Sequence, residues 1–245
     1  MMRRFFIRPD TEIASEILLS KEESHHVSRV LRLPVGTPLQ LLDGCGNVHD
    51  AEILEIRKQV RLRILSSNHA PPDATPLRVC QAMLKGQKME LLIQKCTELG
   101  VREFTPFYSE RCQLKKSELT KVEKKYERWQ RIVEEACKQC GTPWAMELKP
   151  LRSYEEMLGE GEGAGQKILF WEEQQHEESL HSHPVQESEA GVQLVFGPEG
   201  GFPESEVKLA REAGFQILSL GPRILKAETA NIGAVAIVQY LLNNM

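Results

Sequence analysis

Apolar positions recur along this chain with two periods, and the balance between them changes near residue 75. Before that point the stretches 4–8, 39–42, 49–56 and 60–65 are short and β-prone and read as strands. Asp43-Gly44 and Gly46-Asn47 supply turn chemistry between the middle pair, as a hairpin requires. One helical segment, 22–33, interrupts the strands. Ser20 is its expected N-cap with Glu23 three residues on, and Pro34-Val35-Gly36 ends it. Residues 66–76 hold three prolines and few apolar groups, the composition of a linker.

Beyond the linker, apolar runs at 77–83, 101–108, 167–172, 192–196 and 215–220 alternate with helix-period segments at 88–99, 120–139, 204–213 and 226–242. This alternation predicts an α/β fold with a parallel sheet, and hence two domains, 1–70 and 75–245. Gly100 caps the first of these helices, and Pro203 opens the third. The 120–139 helix has an apolar face at Val122, Tyr126, Trp129, Val133, Ala136 and Cys140, opposite a basic face of Lys121, Lys124, Lys125, Arg128 and Arg131 that follows Lys115-Lys116. The last helix is apolar on more than one face, with Ala230, Ala234, Ile237 and Leu241 beside Ile232, Val235, Val238 and Leu242. A helix apolar that widely needs cover on two sides. The sheet provides one side and a second subunit the other, so a homodimer is expected.

Two glycine-rich turns, 197–202 and 220–225, each follow a strand and precede a helix. Ligands of open parallel sheets sit beyond the carboxyl ends of the strands, where both turns fall. Glycine lets backbone groups approach a ligand closely, and Pro198 and Pro222 stiffen the turns. A pair of tight connections without a ligand would look similar, but both turns carry a charged residue, Glu199 and Arg223. The spacing lacks the G-x-G-x-x-G order of a dinucleotide site.

Charge changes the picture only once it is divided. The net charge is −4, yet residues 150–190 alone carry 2 basic and 10 acidic side chains, against 29 and 25 in the remainder. A mildly basic body permits a nucleic-acid partner. Arg3, Arg4, Arg8, Arg29 and Arg32 form a candidate phosphate-facing set, or a solvated scatter. Neighbouring His25 and His26 point about 100° apart on a helix, which suits packing or phosphate contact better than one shared ion. No metal site is expected: Cys137-x-x-Cys140 lacks a second pair, and His181-x-His183 lies in an acidic loop. Six scattered cysteines and the lack of a signal peptide or membrane span suggest reduced thiols and the cytoplasm.

VFGPEGGF at 195–202 and LGPRILKAETA at 220–230 resemble the paired C-terminal motifs of the RsmE-type SPOUT-class methyltransferases, which modify uracil N3 in small-subunit (16S) ribosomal RNA. HHVSRVLRL at 25–33, LLDGCGN at 41–47, QAMLKGQKMELLIQKCTELGV at 81–101 and SERCQLKK at 109–116 agree with it, so the resemblance covers nearly the whole chain. It implies an N-terminal PUA-like β-barrel that docks RNA, and a SPOUT domain whose deep trefoil knot holds S-adenosyl-L-methionine. The implied cofactor residues are Phe196, Gly197, Pro198, Glu199, Gly200 and Gly201 in the first turn. The second turn supplies Ser219, Leu220, Gly221, Arg223, Ile224 and Leu225, with Thr229 beyond it and Trp171 and Glu172 from a third loop. Implied RNA contacts are Arg3, Arg4, Arg8, His26, Arg29, Arg32, Lys85, Lys88 and Arg111. The chain departs from the family at Pro203, where Ser or Thr is usual, and at Lys226-Ala227, where Arg-Thr is usual.

Uracil N3 lies on the Watson–Crick edge and carries a proton, so the base must be unpaired and the proton must leave. Glu199 and Glu228 are the candidate acceptors, with Arg223 stabilising the anionic base. Bracing of a turn by Glu199, or of a helix start by Glu228, is the structural alternative. At the level of function the alternatives are an RNA-binding or ribosome-assembly protein without catalysis, and another SPOUT activity such as ribose or guanine methylation.

Overall fold

A computed structural model describes residues 2–113, 116–160, 163, 165–174 and 178–245, the side chains of 116–124 and 160 aside. The chain divides into two units: residues 1–72 with 134–145, and residues 73–133 with 146–245.

The first unit is built on a five-stranded sheet of order β1-β3-β4-β5-β2. Its strands are β1 (Arg3–Phe6), β2 (Glu16–Leu18), β3 (Pro38–Leu42), β4 (Asn47–Ile56) and β5 (Val60–His69). Only β1 and β3 run parallel; the other pairs are antiparallel. Alternating residues such as Leu39, Leu41, Ala51, Ile53, Val60 and Leu62 form the core together with Phe5 and Leu19. Asp43 closes the β3–β4 hairpin, its Oδ1 accepting from the backbone N–H groups of Cys45 (2.7 Å) and Asn47 (3.1 Å).

Two expectations for this unit are corrected. The helix 22–33 is a short α1 (Lys21–His25) that widens into a π turn, His26–Val30. Its Ser20 cap is present, the Ser20 hydroxyl accepting from Glu23 N–H at 3.1 Å. Residues 66–69 are not linker but the end of β5. Their polar side chains leave the backbone pairing intact, and residues 66–69 run in register with residues 50–47 of β4.

The second unit holds a six-stranded sheet of order β11-β9-β10-β6-β7-β8, parallel throughout. Its elements in chain order are β6 (Leu77–Ala82), α2 (Lys88–Glu98), β7 (Glu103–Phe107), α3 (Lys116–Cys140), β8 (Glu147–Leu148), α4 (Tyr154–Glu160), β9 (Gln166–Phe170), β10 (Val192–Phe196), α5 (Glu204–Glu212), β11 (Gln216–Leu218) and α6 (Ala227–Leu241). The sequence reading lacked β2, β8 and α4, which are too short to carry a period. All five residues of central β10 are buried, as a parallel strand covered on both faces requires. Gln193 is the polar exception: its Nε2 donates to Cys80 Sγ at 3.1 Å, while its Oε1 is buried without a hydrogen-bond partner. Pro203 is the N-cap of α5 and makes no side-chain capping bond.

Residues 134–140 of α3 belong to the first unit, where Lys138 pairs with Glu23 at 2.9 Å. The Arg4 guanidinium donates to the Lys138 and Gln139 carbonyls, 3.4 Å each, and so complements the negative end of the helix. No helix among the described residues is long and apolar enough to cross a membrane.

Candidate active site

The sheet order places the carboxyl ends of β9, β10 and β11 side by side, and a cavity of about 340 Å3 opens there. Phe170 and Phe196 are register partners at the ends of β9 and β10, and their stacked rings, 5.2 Å apart, form its floor. Gly197, Pro198, Glu199 and Gly201 line it from the first turn. The second turn contributes Ser219, Leu220, Gly221, Pro222, Arg223, Ile224 and Leu225. Trp171 and Glu172 close a third side, and Lys226, Ala227 and Ala230 bring in the start of α6.

Of the expected cofactor residues, Gly200 and Thr229 do not line this cavity. Gly200 instead lies against the loop at Arg111, whose Nη1 donates to the Gly200 carbonyl at 3.2 Å. Thr229 is exposed on α6. The Ser219 N–H donates to the Glu178 carbonyl at 2.7 Å, and its hydroxyl accepts from Gly221 N–H at 3.2 Å, so this residue shapes the second turn from within. Trp171 braces the site through Nε1, which donates to the Phe202 carbonyl at 3.2 Å.

Of the three candidate catalytic residues, Glu199 and Arg223 line this cavity together with Lys88, whereas Glu228 does not line it and is tied to it through Lys88. Its ammonium stands 3.2 Å from Glu199 Oε1 and 3.4 Å from Glu228 Oε2. Glu199 Oε1 also accepts from the backbone N–H of Lys85 at 3.1 Å. The second oxygen of Glu199 is buried without a hydrogen-bond partner. Glu228 Oε2, despite its nearness to the ammonium, is likewise buried and makes no aligned bond. The hydrogen bond to Glu199 pushes the Lys88 pKa up, and Glu228 adds to the effect. Glu228 is held below the usual carboxylate range, first by its own backbone N–H at the start of α6 and then by Lys88. The result is a carboxylate–ammonium–carboxylate bridge, of which Glu199 and Lys88 line the cavity. Arg223 is exposed at the mouth of the cavity.

Lys88 appears among the expected RNA contacts, and the fold sets it on the wall of the cavity. It stands in the first turn of α2, and α2 follows β6, the neighbour of β10. A helix after that strand begins at the same sheet edge as the glycine turns, and this was the signal available.

The other basic residues are placed as follows. Arg3, Arg8, Arg29 and Arg32 are exposed on the first unit, Arg32 with a positive φ of 51°. Arg4 caps α3, and His26 stands edge-on to the Phe5 ring with Nδ1 3.7 Å from Glu23. Lys85 and Arg111 are exposed in the second unit. On the basic face of α3, Arg128 pairs with Glu90 at 2.6 Å, while Lys115 and the side chains of Lys116, Lys121 and Lys124 lie outside the described residues. No group of three or more potential metal ligands occurs among the described residues.

A parallel sheet with its cavity at the carboxyl edge, preceded by a small β-rich unit, matches a known class of enzyme. A profile described as an RNA methyltransferase domain covers residues 71–239, and one described as the PUA domain of RNA methyltransferases covers residues 19–65. The chain is 33% identical to ribosomal RNA small subunit methyltransferase E of Synechocystis, over all of this chain and 79% of the relative. With the protein of the same name from Bacillus subtilis the identity is 31%, over 98% of this chain and 96% of the relative. Among solved structures, ribosomal RNA small subunit methyltransferase E of Neisseria gonorrhoeae bound to S-adenosylmethionine superposes with a TM-score of 0.86 at 29% identity, covering 98% of both chains. The chain belongs to the ribosomal RNA small subunit methyltransferase E family.

Proposed function

We propose that this protein methylates N3 of a uridine in small-subunit ribosomal RNA, with S-adenosylmethionine as donor. The observation that carries the reading is the cavity itself, where two glycine turns meet Lys88 at one sheet edge, Lys88 pairing with Glu199 on the wall and with Glu228. The residues present fit the donor. The stacked Phe170–Phe196 floor and Leu220 suit an adenine, and the Glu199 carboxylate on the cavity wall suits ligand hydrogens. When bound, S-adenosylmethionine supplies an electrophilic methyl group on a sulfonium.

The chain's own residues orient the base and handle its proton. An imide N3–H directed at a carboxylate of the bridge gains a charge-assisted hydrogen bond. The N3–H bond breaks toward a carboxylate of the bridge as N3 takes the methyl group, so the proton passes to that carboxylate, and Glu228 is held ionised and ready to accept. Lys88 and Arg223 supply positive charge for the uracil oxygens, on which negative charge develops as the proton leaves.

The finer architecture belongs to the same reading. The first unit is a PUA-like barrel that docks RNA through its exposed arginines. The turns of the second unit are threaded as a trefoil knot, two copies pair through α6, and the enzyme works in the cytoplasm.

Calorimetry with S-adenosylmethionine and mass spectrometry of 16S ribosomal RNA, from cells with and without the protein, test the reaction. Glu228→Gln and Arg223→Ala are each expected to cut turnover about 10²-fold, the first while sparing cofactor affinity. Full activity in both variants would end the assignment of roles.

A further inference from the structure

Behind the first glycine turn, three fully buried polar side chains stand in series: Cys96 on α2, Asn231 on α6 and Gln81 on β6. Cys96 Sγ lies 3.4 Å from Asn231 Oδ1, and Asn231 Nδ2 lies 2.9 Å from Gln81 Oε1. Gln81 Nε2 lies 3.0 Å from both the Gly197 and the Ala82 carbonyl oxygens. The direction of every bond is fixed from the far end. The two carbonyls can only accept, so Gln81 must turn its NH2 toward them and its oxygen toward Asn231. Asn231 must then donate, which leaves its own oxygen facing the thiol. Burial holds the Cys96 thiol well above its usual range, so its proton stays on sulfur and is donated.

We propose that Cys96, Asn231 and Gln81 form a buried donor relay that positions the Gly197 carbonyl and, through it, the glycine turn of the cavity. Apolar side chains would fill the same space without the cost of burying polar groups. A fully satisfied network gives instead a single arrangement of the elements it joins. Those elements are the ones that matter here, because α2 carries Lys88 and α6 carries Glu228. The relay thus holds the turn and both charged partners in one register. Its bearing on catalysis rests on the cavity being the donor site; its bearing on the turn does not.

Hydrogen exchange of a peptide spanning residues 196–202, measured without cofactor, tests the relay directly. In Gln81→Met, which keeps the volume and removes the donor, that peptide is expected to exchange about tenfold faster than in the wild type. In Gln81→Glu the buried carboxyl donates while protonated and repels the carbonyl once ionised. The exchange ratio to wild type is then expected to be near one at about pH 6 and to rise toward pH 8.5, a pH dependence that simple packing would not produce. An unchanged ratio in Gln81→Met, or a flat profile in Gln81→Glu, would overturn the relay. If the Gln81 variants do not fold, Cys96 decides at the far end of the chain of bonds. Cys96→Ser keeps a donor and is expected to exchange as the wild type does, whereas Cys96→Val is expected to loosen the turn; equal behaviour of the two refutes the proposal. Calorimetry is run in parallel. A wild-type protein that does not bind S-adenosylmethionine would sink the proposed function and leave the relay to be judged on exchange alone.

Discussion

The two glycines at positions 200 and 201 do different work. Gly201 has φ +67°, and a Cβ built there would overlap Glu172 Oε1. The Glu172 side chain is exposed and can swing aside, so the lasting cost of a substitution is the left-handed backbone, about 1–2 kcal/mol. Gly200 has no such φ, and its Cβ would meet Arg111 Cβ at 3.2 Å, a tight contact outside the cavity. Gly201→Ala is therefore expected to lower stability by about 1–2 kcal/mol and to weaken S-adenosylmethionine binding about tenfold or more. Gly200→Ala should act mainly by displacing Arg111, with the smaller loss of affinity. Thermal unfolding and calorimetry on both variants check this, and equal losses of affinity would contradict it. The turns were legible in the sequence because their chemistry is local, glycine and proline at fixed spacing after a strand. The role of Lys88 was not, because its partners Glu199 and Glu228 reach it only when β10 pairs with β6 and α6 packs on α2.

Among the elements, α5 shows how a buried charge can tie a loop to the site. Glu206, in its first turn, is 7% exposed and accepts from the Ser109 hydroxyl at 2.7 Å and from Glu110 N–H at 2.8 Å. These bonds anchor the loop whose next residue, Arg111, reaches Gly200. Burial pushes the Glu206 pKa up, and the two hydrogen bonds only partly offset it. A carboxyl raised in the folded state stays protonated there after its unfolded counterpart has ionised. Stability is then fully present below the unfolded value and falls as pH rises through the folded one. Glu206→Gln can keep both bonds, its Oε1 accepting from Glu110 and its Nε2 donating to Ser109. Its melting temperature is expected to match the wild type near pH 4 and to exceed it near neutrality. A wild-type advantage at neutral pH would show that the charge itself is needed. None of this could be read from the 204–213 periodicity, which reports the apolar stripe through Val207 and Ala210 but not which polar residue turns inward. Short elements were lost for a related reason. Strand β8 has two residues, and both pair with Glu103 and Phe104 of β7, so its formation depends on a sheet already in place.

At the scale of the molecule, α6 faces two ways. Ala234, Val235, Val238 and Leu242 are buried against the second unit, whereas Ile237, Tyr240 and Leu241 are 48%, 73% and 44% exposed. Ile237 and Leu241 stand one turn apart on the same stripe, and Ile224, 86% exposed, adds apolar surface at the cavity mouth. Each such side chain gains roughly 1.5–3 kcal/mol on full burial, and this gain is what the proposed pairing of two copies would draw on. The sequence pattern anticipated the two-faced helix, though it grouped Ala234 with Ile237 and Leu241 on one side, and the fold turns Ala234 inward. Placing aspartate at both Ile237 and Leu241 is expected to convert a dimer into a monomer in light scattering while leaving the circular dichroism spectrum unchanged, because neither side chain is part of the buried core. The same double variant should bind S-adenosylmethionine more weakly if the second copy also covers Ile224. A wild-type protein that is monomeric at micromolar concentration, or a dimer that survives both aspartates, would show that this exposed stripe serves something other than pairing.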